Sequence, residues 1–293
     1  IALCPYCRRR LRVDKIVFGN KRILALDIGA SKVVLAEFSV SREGAPELLN
    51  YGISRLSPEL SGEADTSAFI VTAVRDLMRE HGIGPAPLYL TLSGQTVFPR
   101  FVKLPPVARD KVLQIIRYEA EQNVPFPIEE VVWDYQLMGD EGVESTPDEV
   151  NVLLVAAKTE NLTRMTDCVD AAGLEPEVVD VAPMALYNAV RFNYENLQGC
   201  TMILDIGARS SNLIFLEEDR IFNRSIPVAG NTITQEIAKE FDVSFGEAEN
   251  LKLDHAFVAL GGVYAGAESD VTDRVSKVVR NVMLCILSDG HVL

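Results

Sequence analysis

The tetrapeptide Leu-Asp-Ile-Gly occurs twice, at 26–29 and 204–207, each time at the end of an apolar, β-rich run. The first run reads ILALDIGASKVVLAEF (Ile23 to Phe38) and the second MILDIGARSSNLIFLEE (Met202 to Glu218). Each reads as a strand, a tight glycine turn with small hydroxyl residues, and a returning strand, with an aspartate near the strand tip. Such a hairpin suits a nucleotide phosphate and its Mg²⁺. A carboxylate can hold the hydrated metal, because Mg²⁺ keeps most of its waters and takes only one or two protein oxygens. Glycine lets turn N–H groups approach phosphate oxygens and form an anion-binding concavity. Two such hairpins far apart in one chain imply two related lobes clamping one nucleotide. The alternative is two ordinary β-hairpins whose aspartates cap their own turns.

Composition narrows the partners. A formal net charge of −14 repels a phosphate backbone, so nucleic acid is disfavoured. With 293 residues, 48% of them hydrophobic, the chain has room for two cores. No run approaches the ~18–20 consecutive apolar residues of a membrane helix. Arg8, Arg9 and Arg10 are followed by no apolar stretch of signal-peptide type. Five scattered cysteines (Cys4, Cys7, Cys168, Cys200, Cys285) fit a reducing compartment, hence the cytoplasm. Cys168 and Cys200, in apolar contexts, read as core thiols. Cys4 and Cys7 form half of a zinc-ribbon pattern that no second Cys-x-x-Cys completes. Residues 1–22, with seven Lys/Arg against one Asp, read as a basic, disordered tail.

Helical spacing of Phe69, Ile70, Ala73, Val74, Leu77 and Met78 predicts a helix over 66–82, capped by Thr66 or Ser67 and ended by Gly82. Strands are expected at Leu88–Ser93 and Val97–Leu104, a helix near Val107–Asn123, and strands at Val131–Leu137 and Val150–Ala157. An acidic loop, 139–149, separates the last two. A helix over Leu162–Ala172 stops at Gly173, and 88–174 together read as an α+β unit inserted into the first lobe (23–87 and 175–200). The chain returns through Glu177–Val181 and a helix over Pro183–Tyr194. The second lobe, 201–293, contains a capping box, Ser244 with Glu247, and a last helix near Val271–Leu284.

Paired phosphate hairpins resemble those of the actin, Hsp70 and sugar-kinase superfamily. The string from Ile226 to Ala238, with Gly246–Lys252, resembles the second lobe of the bacterial branch, FtsA and PilM. Ser93-Gly94-Gln95, Arg100–Pro105, the Pro125-Phe126-Pro127 segment and Ala171–Pro176 look like a PilM 1C subdomain. From about Leu24 to about Val282 the chain is identified as a member of the PilM family.

That resemblance implies a two-lobed, actin-like (ribonuclease H-like) α/β ATPase fold with an inserted 1C subdomain, also termed SHS2. ATP and Mg²⁺ are the implied cofactors. The metal would be held through water by Asp27 and Asp205, and the phosphates by Gly29, Ser31, Lys32, Gly207, Ser210, Ser211 and Gly230. The serines could equally be local caps. Glu249 and Lys252 resemble the pair that grips the ribose; a solvated i,i+3 ion pair is the alternative. Ala30 replaces the usual hydroxyl residue of the first turn, so at most a slow ATPase is expected. The chain past Leu284 does not continue the family pattern, so the second lobe reads as truncated and the Val271 helix as carrying an uncovered apolar stripe. Gly261-Gly262 stands before that helix, on the wrong side to be the family's adenine turn. The family role is a cytoplasmic scaffold of type IV pilus or type II secretion assembly, peripheral at the inner membrane and able to self-associate. Its expected partner is the N-terminal cytoplasmic tail of a PilN-like protein. The competing readings are a small-molecule kinase or ATPase, for which no acid–base pair beyond the two aspartates is found, and an FtsA-like division protein.

Overall fold

The structure, a computed structural model, describes residues 21–41, 46–56, 63–104, 109–138, 150–194, 197, 199–217, 220–258 and 269–289. Cys4, Cys7, the 139–149 loop, Gly261 and Gly262 lie outside the described residues. The chain divides into two compact units, 1–201 with 216–222, and 202–215 with 223–293.

In the first unit, β1 (Lys21–Ile28), β2 (Lys32–Val40), β3 (Pro46–Arg55), β4 (Leu88–Leu92) and β8 (Pro176–Val181) form one sheet in the order β3-β2-β1-β4-β8. β1 runs antiparallel to β2 and parallel to β4, and β4 runs parallel to β8. Alternate residues Leu24, Leu26, Val33, Leu35, Leu88, Leu90 and Leu92 are buried, which is the period-two pattern of a covered sheet face. Helix α1 (Glu63–His81) packs on β2 and β3 through Ile70, Val74 and Leu77. It ends in a Schellman motif: Gly82 takes φ +64° and the Ile83 N–H returns to Met78 O (2.9 Å).

The inserted segment has its own sheet, β5-β7-β6, from β5 (Val97–Leu104), β6 (Val131–Met138) and β7 (Val150–Lys158), all antiparallel. The central strand is buried on both faces from Val152 to Ala157. Helix α2 (Arg109–Asn123) packs Ile116 and Ala120 into one side of that sheet, with Trp133 half-buried against the same core. Helix α3 (Thr159–Ala171) follows β7, packs on α1 and stops at Gly173, φ +90°. Helix α4 (Ala182–Asn193) follows β8.

A third sheet, in the order β11-β10-β9, comprises β9 (Cys200–Ile206), β10 (Ser211–Glu217) and β11 (Arg220–Ile226), of which 202–215 and 223–226 belong to the second unit, followed there by α5 (Gly230–Phe241), α6 (Phe245–His255) and α7 (Asp270–Asp289). Val275, Val279 and Val282 of α7 pack with Ile233, Ile237 and Ala248, and Ile286 packs with Leu213 and Ile226 of the sheet.

Several expectations are corrected. β4 belongs to the larger sheet, not to the insertion: parallel pairing with β1 and β8 is a long-range choice that strand propensity does not encode. β3, β11 and α5 come in addition to the elements expected from the sequence. Lys21 and Arg22 are strand residues rather than tail, and Arg22 pairs with Glu37 (2.6 Å). Thr66 and Ser67 lie inside α1, which starts three residues before Thr66. α7 runs on to Asp289, and its stripe Val275–Val279–Val282–Ile286 is buried, not uncovered. Cys200 is exposed at the start of β9; Cys168 is buried as expected.

Candidate functional site

The two Leu-Asp-Ile-Gly segments fold into the same hairpin. In the first, the Gly29 N–H donates to Lys32 O (2.9 Å); in the second, the Gly207 N–H donates to Ser210 O (2.9 Å). Both turns need glycine for close approach, since a Cβ would stand 3.2 Å from Lys32 O in the first and 2.8 Å from Ser210 O in the second. Closing the turn this way leaves the intervening amides unspent. Among the described residues, the N–H groups of Ala30, Ser31, Ala208 and Arg209 donate to no acceptor. Such a pair of adjacent turn amides is an anion-binding concavity.

Each aspartate is held by a neutral donor. The Thr91 hydroxyl, at the tip of β4, donates to Asp27 Oδ1 (2.9 Å). The Asn212 amide, on β10, donates to Asp205 Oδ2 (3.0 Å). Asn212 is itself only 5% exposed and its Oδ1 has no partner. Neither Thr91 nor Asn212 was singled out from the sequence. Asn212 carried a usable signal: across a turn closed from Gly207 to Ser210, it is the residue opposite Asp205. Thr91 carried none, because only the β1–β4 pairing brings it to Asp27.

The remaining residues separate. Ser31 and Lys32 are exposed at the first turn, and Lys32 has no ion-pair partner among the described residues. Ser211 is buried and donates to Val228 O (2.7 Å), so its hydroxyl is committed to the backbone. Gly230 opens α5 directly beneath the second turn: its N–H donates to Gly207 O (3.0 Å) and the Asn231 N–H to Ala208 O (2.8 Å). Glu249 and Lys252 pair at 2.7 Å, and neither is more than a third exposed. Lys252 also donates to the Thr234 hydroxyl (2.8 Å) and reaches Gly230 O (3.3 Å), while the Thr234 hydroxyl faces Glu249. This is a knot tying α6 to the first turns of α5, not a solvated ion pair. The capping box of α6 is formed as expected, Ser244 N–H to Glu247 Oε2 at 2.9 Å. There Glu247 is held below the usual glutamate range by the Ser244 hydroxyl and then by its amide.

A second feature lies on the first unit. α1 and α3 leave an open groove of about 610 Å³, floored by Ala68, Val71 and Cys168 and edged by Glu160, Arg164 and Asp167. The Arg75 guanidinium, on α1, donates to Ala171 O at the end of α3. On an adjoining face of α3, a cavity of about 40 Å³ is bordered by Ile28, Thr91, Asn161, Arg164 and Met165. Among the described residues there is no cluster of three His, Cys, Asp or Glu side chains fit to hold a metal directly. An outer-sphere metal needs no such cluster, and one carboxylate per hairpin suits a hydrated Mg²⁺. No helix of the described residues is long and apolar enough to cross a membrane.

Hairpin, central sheet, inserted subdomain and second three-stranded unit together define an actin-like ATPase fold. A profile of the type IV pilus assembly protein PilM family matches residues 25–259, and the chain belongs to that family. Among solved structures it is similar to the PilM–PilN type IV pilus biogenesis complex, 27% identical with a TM-score of 0.75 over 91% of this chain and 74% of that one. The ethanolamine utilization protein EutJ of Carboxydothermus hydrogenoformans shares the fold at 16% identity, TM-score 0.51, over 93% of this chain and 72% of that one. Cell division protein FtsA of Escherichia coli K12 is 23% identical over 85% of this chain and 64% of its own length. The chain thus spans somewhat under two thirds of the curated relatives it matches.

Proposed function

We propose that this chain is a nucleotide-dependent scaffold of type IV pilus assembly. It binds Mg-ATP through its two aspartate hairpins and captures the N-terminal cytoplasmic tail of a PilN-like inner-membrane protein. The observation that carries the nucleotide half is the matched pair of turns, each with free amides beside an aspartate fixed by a side-chain donor. Asp27 and Asp205 would hold the hydrated metal, whose charge neutralises the phosphates; the free amides would take phosphate oxygens, with Lys32 adding charge at the first turn. The spent amides of α5 and the buried hydroxyl of Ser211 argue against a direct phosphate role for Gly230 and Ser211.

The α1–α3 groove supports the partner half. It lies where the first-lobe helix α1 meets α3, the last helix of the inserted segment, and its apolar floor with a charged edge suits an extended peptide. The protein would then be cytoplasmic and reach the membrane through that tail. Calorimetric titration of Mg-ATP, with Asp205→Ala as control, tests the first half. Binding that vanishes in the variant supports it; no binding by the folded chain refutes it. Titration of the tail peptide against Val71→Asp and wild type tests the second, and equal affinities would remove the groove as the tail site. A division role like that of FtsA is the alternative drawn from the sequence relatives, and tail capture separates the two.

A further inference from the structure

The groove and the first hairpin share a wall. Arg164 lines both the α1–α3 groove and the 40 Å³ cavity, on adjoining faces of α3. Thr91, whose hydroxyl fixes Asp27, lines the same cavity. A chain of three neighbours therefore joins the groove to the first phosphate turn: Arg164, Thr91, Asp27. The cavity that Arg164 and Thr91 both line, about 40 Å³, has room for a water molecule. Interiors are otherwise close-packed, so such a gap is where a helix can shift without a clash. α3 is a single helix of 13 residues, so a displacement felt by Asp167 in the groove is felt by Arg164 at the cavity.

Resting on the function proposed above, we infer that Arg164 is a residue of both sites and that tail binding and Mg-ATP binding are positively coupled through it. A peptide laid in the groove presses α3 and Arg164 toward the cavity, closing it against Thr91. Thr91 is then held more firmly on Asp27, and the aspartate is already oriented when the hydrated metal arrives. Reciprocity follows from linkage: Mg-ATP must tighten tail binding by the same factor. Nothing in the hairpin motif announces Arg164, which lies 137 positions after Asp27 in the chain.

The test is a binding cycle on the full chain. Calorimetry gives the affinity of Mg-ATP alone, of a synthetic PilN-type N-terminal tail peptide alone, and of each in the presence of the other. The cycle is repeated for Arg164→Met, which keeps the length and apolar stem, and for Thr91→Val; circular dichroism melts confirm that both fold. In the wild type each ligand is expected to bind at least about fivefold tighter beside the other. In both variants that ratio falls to within about twofold of one, whatever happens to the separate affinities. Independent binding in the wild type, weakening of one ligand by the other, or coupling that survives both substitutions overturns the inference while leaving the scaffold reading intact. Failure of either ligand to bind the wild type overturns that reading, and the inference with it.

Discussion

The two hairpins are the same turn built into different surroundings. The first is supported from far away: Asp27 is oriented by Thr91, 64 residues on, through parallel pairing of β1 with β4. The second is supported from nearby: Asp205 is oriented by Asn212, seven residues on, and α5 abuts its turn through two backbone hydrogen bonds. At the position where the second hairpin has Asn212, the first has Val34, opposite Asp27 in the ladder. The backbone geometry of the turn is thus a local property of Leu-Asp-Ile-Gly. Orientation of the carboxylate is not, and each hairpin solves it with whatever donor its fold supplies.

That difference predicts unequal tolerance. Gly207→Ala places a Cβ 2.8 Å from Ser210 O in a turn that α5 prevents from relaxing. It is expected to cost about 3 kcal/mol of stability, the upper end of overpacking effects, and Gly29→Ala, at 3.2 Å and with a freer turn, about 1 kcal/mol. Urea unfolding of both variants measures this, and equal costs would mean that α5 does not brace the second turn. Next in size is nucleotide affinity. Groups that orient a metal's ligands typically matter about 10- to 100-fold. Asn212→Val, which makes the second hairpin resemble the first, and Thr91→Val should each weaken Mg-ATP by that order. Binding of ATP in EDTA should change much less, because the lost donor acts through the metal.

A smaller effect belongs to the second unit alone. Thr234→Val removes the buried hydroxyl between Lys252 and Glu249, leaving a half-buried pair short of one partner. A loss of about 1–2 kcal/mol is expected, in line with other buried hydrogen bonds. Hydrogen exchange should show it as faster opening of α5 and α6, with α1 and β4 unchanged. Were α1 to open equally, the knot would not be local.

The parts legible in the sequence were those fixed by local pattern. Both hairpins, the α3 stop at Gly173 and the Ser244–Glu247 box follow from residues a few positions apart. What was missed depends on who sits beside whom. Leu88–Leu92 reads as a strand in either sheet, and only its parallel partners decide between them. Pro46–Arg55 was missed as an edge strand; its Leu48, Tyr51 and Ile53 are about half exposed and give no clean alternation. The sequence reading ends α7 near Leu284, since Cys285–Asp289 does not continue the family pattern, yet Ile286 continues the spacing set by Val275, Val279 and Val282. At the site, Glu249 and Lys252 were found as a pair, but Thr234, which gives the pair its role, comes from another helix.

The smallest effect is the one with opposite signs in the two units. Burial raises the pKa of Asp180, on β8, despite the hydrogen bond from the Val181 N–H. Its folded form therefore takes up a proton more readily than the unfolded chain. It costs the fold nothing below the ordinary aspartate range and progressively more as pH rises through that range to the raised folded value. Glu247, on α6, is depressed by Ser244, so its contribution is present above the ordinary glutamate range and lost as pH falls through the lowered folded value. On acidification, β8 should become harder to open and the first turn of α6 easier. Hydrogen exchange corrected for intrinsic rates reads the two segments in one experiment. Asp180→Asn should flatten the first slope and Glu247→Gln the second, each without touching the other. Slopes of the same sign, or a single substitution that flattens both, would mean that the acid response belongs to the chain as a whole and not to these two carboxylates.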